Sequence, residues 1–280
     1  MSELIHSRGA RRLLAGAGMI VTAIVFGLPL LTLILASIAG EWTRALPSTL
    51  TVAHLRAALG GAQRAALWHS LATGLVATIV ALVLGAWGAL ASRRYPAPVR
   101  RGIDALFLMP VAIPSVSIGL ALLVAFSHPP LLLNGTVVLV VITHVVLITA
   151  YAYTSAQAGI ARLPPSVEEM AGSLGAAPSR VLVRVTLPLL LPHLRAAAAL
   201  GLALSMGELG ATIMIYPPGW VTAPVEIFSL TDRGSLFAGA AVSVWLLATT
   251  FAALRLLDRR RSNRPRSRRG SPREIGGSGD

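Results

Sequence analysis

Apolar residues gather along this chain in six long runs, at about 13–39, 66–92, 103–126, 136–158, 196–216 and 236–257. A helix that crosses ~30 Å of hydrocarbon at about 1.5 Å per residue needs about 20 residues, and each run reaches that length. The runs lack the two-residue alternation over ~10-residue segments that a membrane-spanning strand carries. The pattern therefore predicts an all-α polytopic membrane protein with six transmembrane helices. Residues 1–12 precede the first run, and 13–257 form one transmembrane domain with a polar interruption at 159–195. Residues 258–280 make a tail of Arg, Gly and Ser whose low complexity predicts disorder.

Composition agrees with that class: 55% of residues are hydrophobic, 12% are charged, and the mean hydropathy is +0.73. A soluble domain carries roughly a quarter charged residues. The net charge of +13 is carried by 24 basic residues, every one an arginine. Their positions argue against nucleic acid as the partner, because they flank the ends of apolar runs as membrane topology requires. With the N-terminus placed in the cytoplasm, only Arg44, Arg56, Arg64 and Arg233 fall outside. The others fall inside, where the tail meets anionic lipid. Both termini and the 159–195 loop are then cytoplasmic. The first run, about 27 residues of apolar chain behind Arg11 and Arg12, is too long for a cleaved signal of roughly 7–15. It is read as a retained anchor.

Two absences exclude chemistry. Without cysteine there are no disulfides, Cys-ligated metals or thiol nucleophiles. Without lysine there is no Gly-x-x-x-x-Gly-Lys-Ser/Thr phosphate loop, so any ATP-driven work needs another polypeptide. The histidines show no metal-ligand spacing; His69 and His144 stand singly on apolar helices and read as hydrogen-bonded core residues. No cofactor and no metal is expected on this chain.

The interruption Glu168-Glu169-Met-Ala171-Gly-Ser-Leu-Gly175-Ala-Ala-Pro178-Ser-Arg180-Val-Leu-Val-Arg184-Val-Thr-Leu187-Pro188-Leu-Leu-Leu-Pro192 reads as two short helices. Ser166 and Glu169 fit a capping box, Gly175 stops the first helix, and Pro178 starts the second. Arg180 and Arg184 share one face. Pro188 and Pro192 are expected to break the chain before the next span. Such an amphipathic stretch suits either the membrane surface or a groove on a partner.

The fifth run holds Ser205-Met-Gly-Glu208-Leu-Gly-Ala-Thr212. A carboxylate inside an apolar helix costs about 2.5–3.5 kcal/mol on insertion scales, so Glu208 is expected to face a wet path or a hydrogen-bonding neighbour. Asp104 lies at the start of the third run. That run carries Pro110, Pro114 and Ser115, and its prolines are expected to kink the helix and turn carbonyls toward a cavity. An outward loop follows the fifth run, with Tyr216, Trp220, Asp232 and Arg233.

The Glu168–Pro192 stretch resembles the cytoplasmic coupling loop of ABC-importer permeases. The match runs through Glu168, Glu169, Ala171, Gly175, Leu187 and Pro188, with Met170 where that pattern usually has alanine. Ala112-Ile-Pro-Ser-Val-Ser-Ile-Gly119, Asn134-Gly-Thr136, Ser205–Thr212, Tyr216-Pro-Pro-Gly-Trp220 and Ile227–Gly234 together resemble the permease subunits of 2-aminoethylphosphonate ABC importers. The resemblance implies the type I ABC-importer permease (MetI-like) fold in a bacterial inner membrane. It implies a second permease chain, two ATP-binding subunits docked on the coupling loop, and a periplasmic binding protein that delivers cargo. ATP would be consumed by the partner ATPase. Permeases for thiamine, ferric iron, sulfate and polyamines carry a similar fifth-span motif and remain alternatives for cargo. A stand-alone secondary transporter is the alternative of a different class.

Overall fold

The computed structural model describes residues 8–259, so the expectations for residues 1–7 and for the tail from 260 onward lie outside the described residues. The chain forms α1 (Arg8–Ser37), a small hairpin of β1 (Ala39–Glu41) and β2 (Thr49–Leu50), α2 (Ala53–Ala57) and α3 (Gly61–Ser92). Next come α4 (Ala97–Ala112), α5 (Ser115–Ala125), α6 (Val137–Ile160) and α7 (Pro165–Ser173). A rod of α8 (Pro178–Val181), a π-turn (Leu182–Thr186) and α9 (Leu187–Met206) follows; then α10 (Thr212–Ile215), α11 (Ala223–Asp232) and α12 (Leu236–Arg259). In the hairpin Ala39 pairs with Leu50 and Glu41 with Thr49.

Five helices are each long and apolar enough to span a membrane, and there are six if α4 and α5, which meet at a bend of 107°, are counted as one broken span. The expected proline kink is therefore a break. Ile113 takes extended angles (φ −105°, ψ 132°), as a residue before proline must, and Pro114 starts α5. Pro110 stays within the last turn of α4. Because α4 begins at Ala97, Asp104 sits two turns inside a helix rather than at its start.

The fifth span departs further from expectation. Pro188 and Pro192 do not break the chain: Pro178–Met206 runs as one 29-residue helical rod. The π-turn lengthens the hydrogen-bonded ring locally, which lets a membrane helix carry residues that lack a donor. The rod ends at Met206, so the span expected at 196–216 lies earlier, and Glu208 falls in an unwound segment. The outward loop is likewise partly helical, since α11 occupies Ala223–Asp232.

Small residues bring α3, α6 and α9 into close contact. Ala77, Ala81 and Ile148 form one buried cluster, and Ala86, Ala89, Tyr153 and Ala156 another. Gly74 faces Leu202 and Ser205, and Gly201 faces Ile148. In hydrocarbon, where apolar side chains gain nothing by leaving lipid, such close backbone approach is what holds helices together. α1 lies against α12 and leaves most of its apolar side chains exposed, as a lipid-facing helix does.

Candidate functional site

Where α4 breaks from α5, a cavity of about 190 Å³ opens against α6 and the end of α9. Pro110, Ser115, Ser205 and Glu208 line it, with His144 and Tyr151 from α6. Four residues singled out from the sequence are thus brought together. Pro114 and Thr212 do not line it: Pro114 is the exposed cap of α5, and Thr212 is fully buried. Glu208 Oε1 accepts the Ala211 N–H at 2.7 Å, so the carboxylate satisfies part of the unwound backbone as it faces the cavity. The cavity offers hydroxyls, an imidazole and one carboxylate, and no cationic side chain lines it. That set suits a small polar solute.

His144 is 2% exposed and fully partnered: Nδ1 meets Ser205 Oγ at 2.7 Å and Nε2 meets Thr212 Oγ1 at 2.9 Å. A satisfied histidine is what the sequence leads one to expect here, and its partners, 61 and 68 residues away, are set by the fold. Asp104 was missed as an anchor between helices. Its Oδ1 accepts from Tyr153 Oη at 2.6 Å and from Gln157 Nε2 at 2.7 Å, and Phe107 stacks on Tyr153 with centroids 4.3 Å apart. Tyr153 and Gln157 are four apart on α6, a spacing that was visible in the sequence. The trio fastens α4 to α6 on one side of the break.

The segment after α10 folds back onto α3. Trp220 Nε1 donates to Thr73 Oγ1 at 3.0 Å, and its ring stacks on His69 at 4.1 Å. His69 Nδ1 lies 3.0 Å from the Val221 carbonyl, and the Ala223 N–H donates to Ser70 Oγ at 2.8 Å. Trp220 is therefore half-buried and bolted down, whereas Tyr216, Asp232 and Arg233 are exposed.

At the other end of α3 lies the Glu168–Pro192 stretch. α7 starts at Pro165, where a proline costs no hydrogen bond, so Ser166 is inside the first turn and the expected capping box does not form. Gly175, at φ +81°, closes α7 as expected. The Ala176 N–H reaches the Ala171 carbonyl at 3.1 Å and the Gly175 N–H reaches that of Gly172 at 2.9 Å. Glu168 does not face outward. It takes Arg93 in a two-pronged ion pair at 3.2 and 2.8 Å and accepts Thr186 Oγ1 at 2.7 Å. One carboxylate thus ties α7 to the end of α3 and to the π-turn. Glu169, Met170, Leu174, Arg180, Arg184 and Pro188 are exposed, with Leu174 at 88%, while Leu187 is half-buried. The outward surface is apolar with a basic edge.

The Arg93 guanidinium, then the Thr186 hydroxyl, holds the Glu168 pKa below its ordinary 4.5. A depressed folded-state pKa contributes stability that is complete above the unfolded value and is lost as pH falls through the folded one. Because the pair is partly exposed, it is worth roughly 0.2–1 kcal/mol. Thermal unfolding in detergent is expected to show a loss of stability below pH 4.5 that is smaller in Glu168→Gln. Superimposable pH curves would show that the clamp does not form.

Residues 81–263 match the family described as binding-protein-dependent transport system inner membrane component. A Salmonella typhimurium protein, provisionally named 2-aminoethylphosphonate transport system permease protein PhnV, is 47% identical over 88% of this chain and 94% of its own length. The molybdenum transport system permease protein ModB of Mycobacterium tuberculosis is 32% identical over 69% of this chain and 76% of its own. Among solved structures, a chain of a bacterial ABC transporter that imports the acidic polysaccharide alginate is similar, with TM-score 0.73 at 15% identity, covering 91% of this chain and 98% of that one. A chain of the inward-facing MetNI methionine ABC transporter is similar with TM-score 0.58 at 18% identity, covering 69% of this chain and 92% of that one.

Proposed function

The chain belongs to the family of binding-protein-dependent transport system inner membrane components, and from that premise we propose that it moves 2-aminoethylphosphonate across the bacterial inner membrane as the permease subunit of an ATP-driven importer. The observation that carries the cargo is the 47% identity that runs over nearly the whole length of PhnV, against 32% over a shorter stretch of ModB. The small polar cavity at Glu208 is compatible with a solute of that size and polarity.

The partners follow from the same premise. A second, distinct permease chain pairs with this one. Two ATP-binding subunits dock on the exposed apolar side of α7 and α8, using Glu169, Met170, Leu174, Arg180 and Arg184. ATP is bound and hydrolysed there, with no cofactor on this chain. A periplasmic binding protein delivers cargo at the end that carries Tyr216, Asp232 and Arg233. Both termini and α7 face the cytoplasm, as the arginine distribution requires. Motion at α7 reaches the cavity through one element: the rod Pro178–Met206, 29 residues or about 43 Å at about 1.5 Å per residue, starts beside Gly175 and ends next to Glu208. Closure of the ATPase pair then rocks the permease halves between inward-open and outward-open states.

Deleting this chain is expected to abolish growth on 2-aminoethylphosphonate as sole phosphorus source and to leave growth on phosphate unchanged. Normal growth, in a strain without a second importer, returns the cargo to thiamine, ferric iron, sulfate or a polyamine. In proteoliposomes, uptake is expected only with the ATPase subunit and ATP. Uptake without them would make the chain a stand-alone transporter.

A further inference from the structure

The segment 207–211 between α9 and α10 carries Glu208 at the cavity. Unwound chain at membrane depth must be satisfied from within the protein. Glu208 satisfies one donor, and α6 supplies the rest of the restraint through the His144 ring. Ser205 belongs to the last turn of α9 and Thr212 is the first residue of α10. The two nitrogens of one rigid ring therefore hold both ends of the break, at 2.7 and 2.9 Å. A neutral imidazole has one N–H, so one hydroxyl accepts from the ring and the other donates to it.

α5 packs closely against the same segment. A Cβ on Gly119 would stand 2.6 Å from the Ala211 carbonyl oxygen, and one on Gly210 would collide with Ser115 Oγ. α10 thus packs against α5, whose Ser115 lines the cavity. This pair of helices is separated from α4 by the break at Ile113–Pro114 and from α9 by the break at 207–211. Among the described residues, the side-chain hydrogen bond that ties α10 to another helix is the one from His144.

We propose that His144 is a positioning residue for transport: it pins Ser205 and Thr212 across the α9–α10 break, keeping Glu208 at the cavity and the packed α5–α10 pair seated beside it while α9 moves. This rests on the permease reading but not on the identity of the cargo.

The chain lacks cysteine, so Val111→Cys places one thiol of this chain in the cavity wall. In the assembled transporter, a membrane-impermeant maleimide is applied from each side in turn. With His144 in place, labelling from the α10 side is expected to be slow. His144→Leu is expected to raise that rate tenfold or more and to cut ATP-coupled uptake by a similar factor, at unchanged membrane abundance. His144→Asn and His144→Gln each keep an amide able to meet one hydroxyl, and each is expected to recover part of both readouts. Labelling within twofold of the parent in His144→Leu overturns the proposal. So does an equal loss in all three variants, which marks packing alone. If His144→Leu fails to accumulate, Thr212→Val decides: faster labelling supports the pin, and unchanged labelling overturns it. Labelling does not read cargo, so a failed growth test on 2-aminoethylphosphonate and a failed labelling test point to different errors.

Discussion

Gly175→Val is expected to lower ATP-coupled uptake at least tenfold while the permease reaches the membrane in normal amount. Gly175 sits at φ +81°, and nothing lies within 4 Å of where its Cβ would be. The substitution therefore causes no collision, only the cost of holding a side chain in left-handed backbone, roughly 1–2 kcal/mol. A β-branched residue feels that cost most. The strain is relieved most cheaply by opening the turn that joins α7 to α8, which are 9 and 4 residues long. Opening it re-aims Met170, Leu174 and Arg180, the surface proposed to meet the ATPase. The bundle of α3, α6 and α9 is untouched. Gly172→Ala, at an ordinary helical position with equally open space, is the control and is expected to be neutral. Uptake and ATP hydrolysis in proteoliposomes, normalised to permease content, measure the effect. Full uptake by Gly175→Val would remove this turn from the coupling path.

The largest effect on stability is expected at Gly85. A Cβ there would stand 2.6 Å from the Tyr153 backbone nitrogen and 2.7 Å from the Ala152 Cβ. Backbone cannot move aside as a flexible side chain does, so Gly85→Leu forces α3 and α6 apart. Overpacking typically costs about 1–3 kcal/mol, and here it also strains the Asp104–Tyr153–Gln157 anchor on the same stretch of α6. Several-fold less folded permease in the membrane is expected, with what remains unfolding at a lower temperature in detergent. Gly88→Leu makes the comparison, because its Cβ would meet the Phe107 side chain on α4 rather than the α6 backbone. Its loss is expected to be smaller. An equal loss at both positions would mean that the α3–α6 contact is not the tightest part of the bundle.

The apolar runs marked the spans, because a membrane helix must satisfy its own backbone and expose apolar side chains, and both demands are written in composition. Helix ends were less legible. Pro188 and Pro192 looked like breaks, yet the rod runs through both, with a π-turn just ahead of Pro188 and with Pro192 inside α9. Pro114 looked like a kink, yet the chain turns through 107°. A proline specifies where a donor is missing, and the neighbours decide whether the helix bends, widens or stops there.

Site residues divide in the same way. Glu208, Ser205, Pro110 and Ser115 could be singled out because polar or helix-breaking residues are rare inside apolar runs, and the fold gathers all four around one cavity. Glu168 could be singled out by pattern, but its Arg93 partner lies 75 residues away, and nothing local pairs them. His144 likewise meets hydroxyls 61 and 68 residues away.

By itself, then, the sequence determined the class of protein, the places of its long apolar helices and the Gly175 turn, and it set the expectations of six crossings, of orientation and of an external motor. Each follows from local composition or from the conformational range of a single residue. Only the tertiary structure decided that Glu168 faces inward as a clamp, that the third apolar run is broken and the fifth span ends at Met206, and that His144 bridges the unwound segment beside Glu208. Those features are pairings between segments distant in sequence. A polar group in a membrane is satisfied by whichever neighbour packing brings to it, and that neighbour is known only once the helices are assembled.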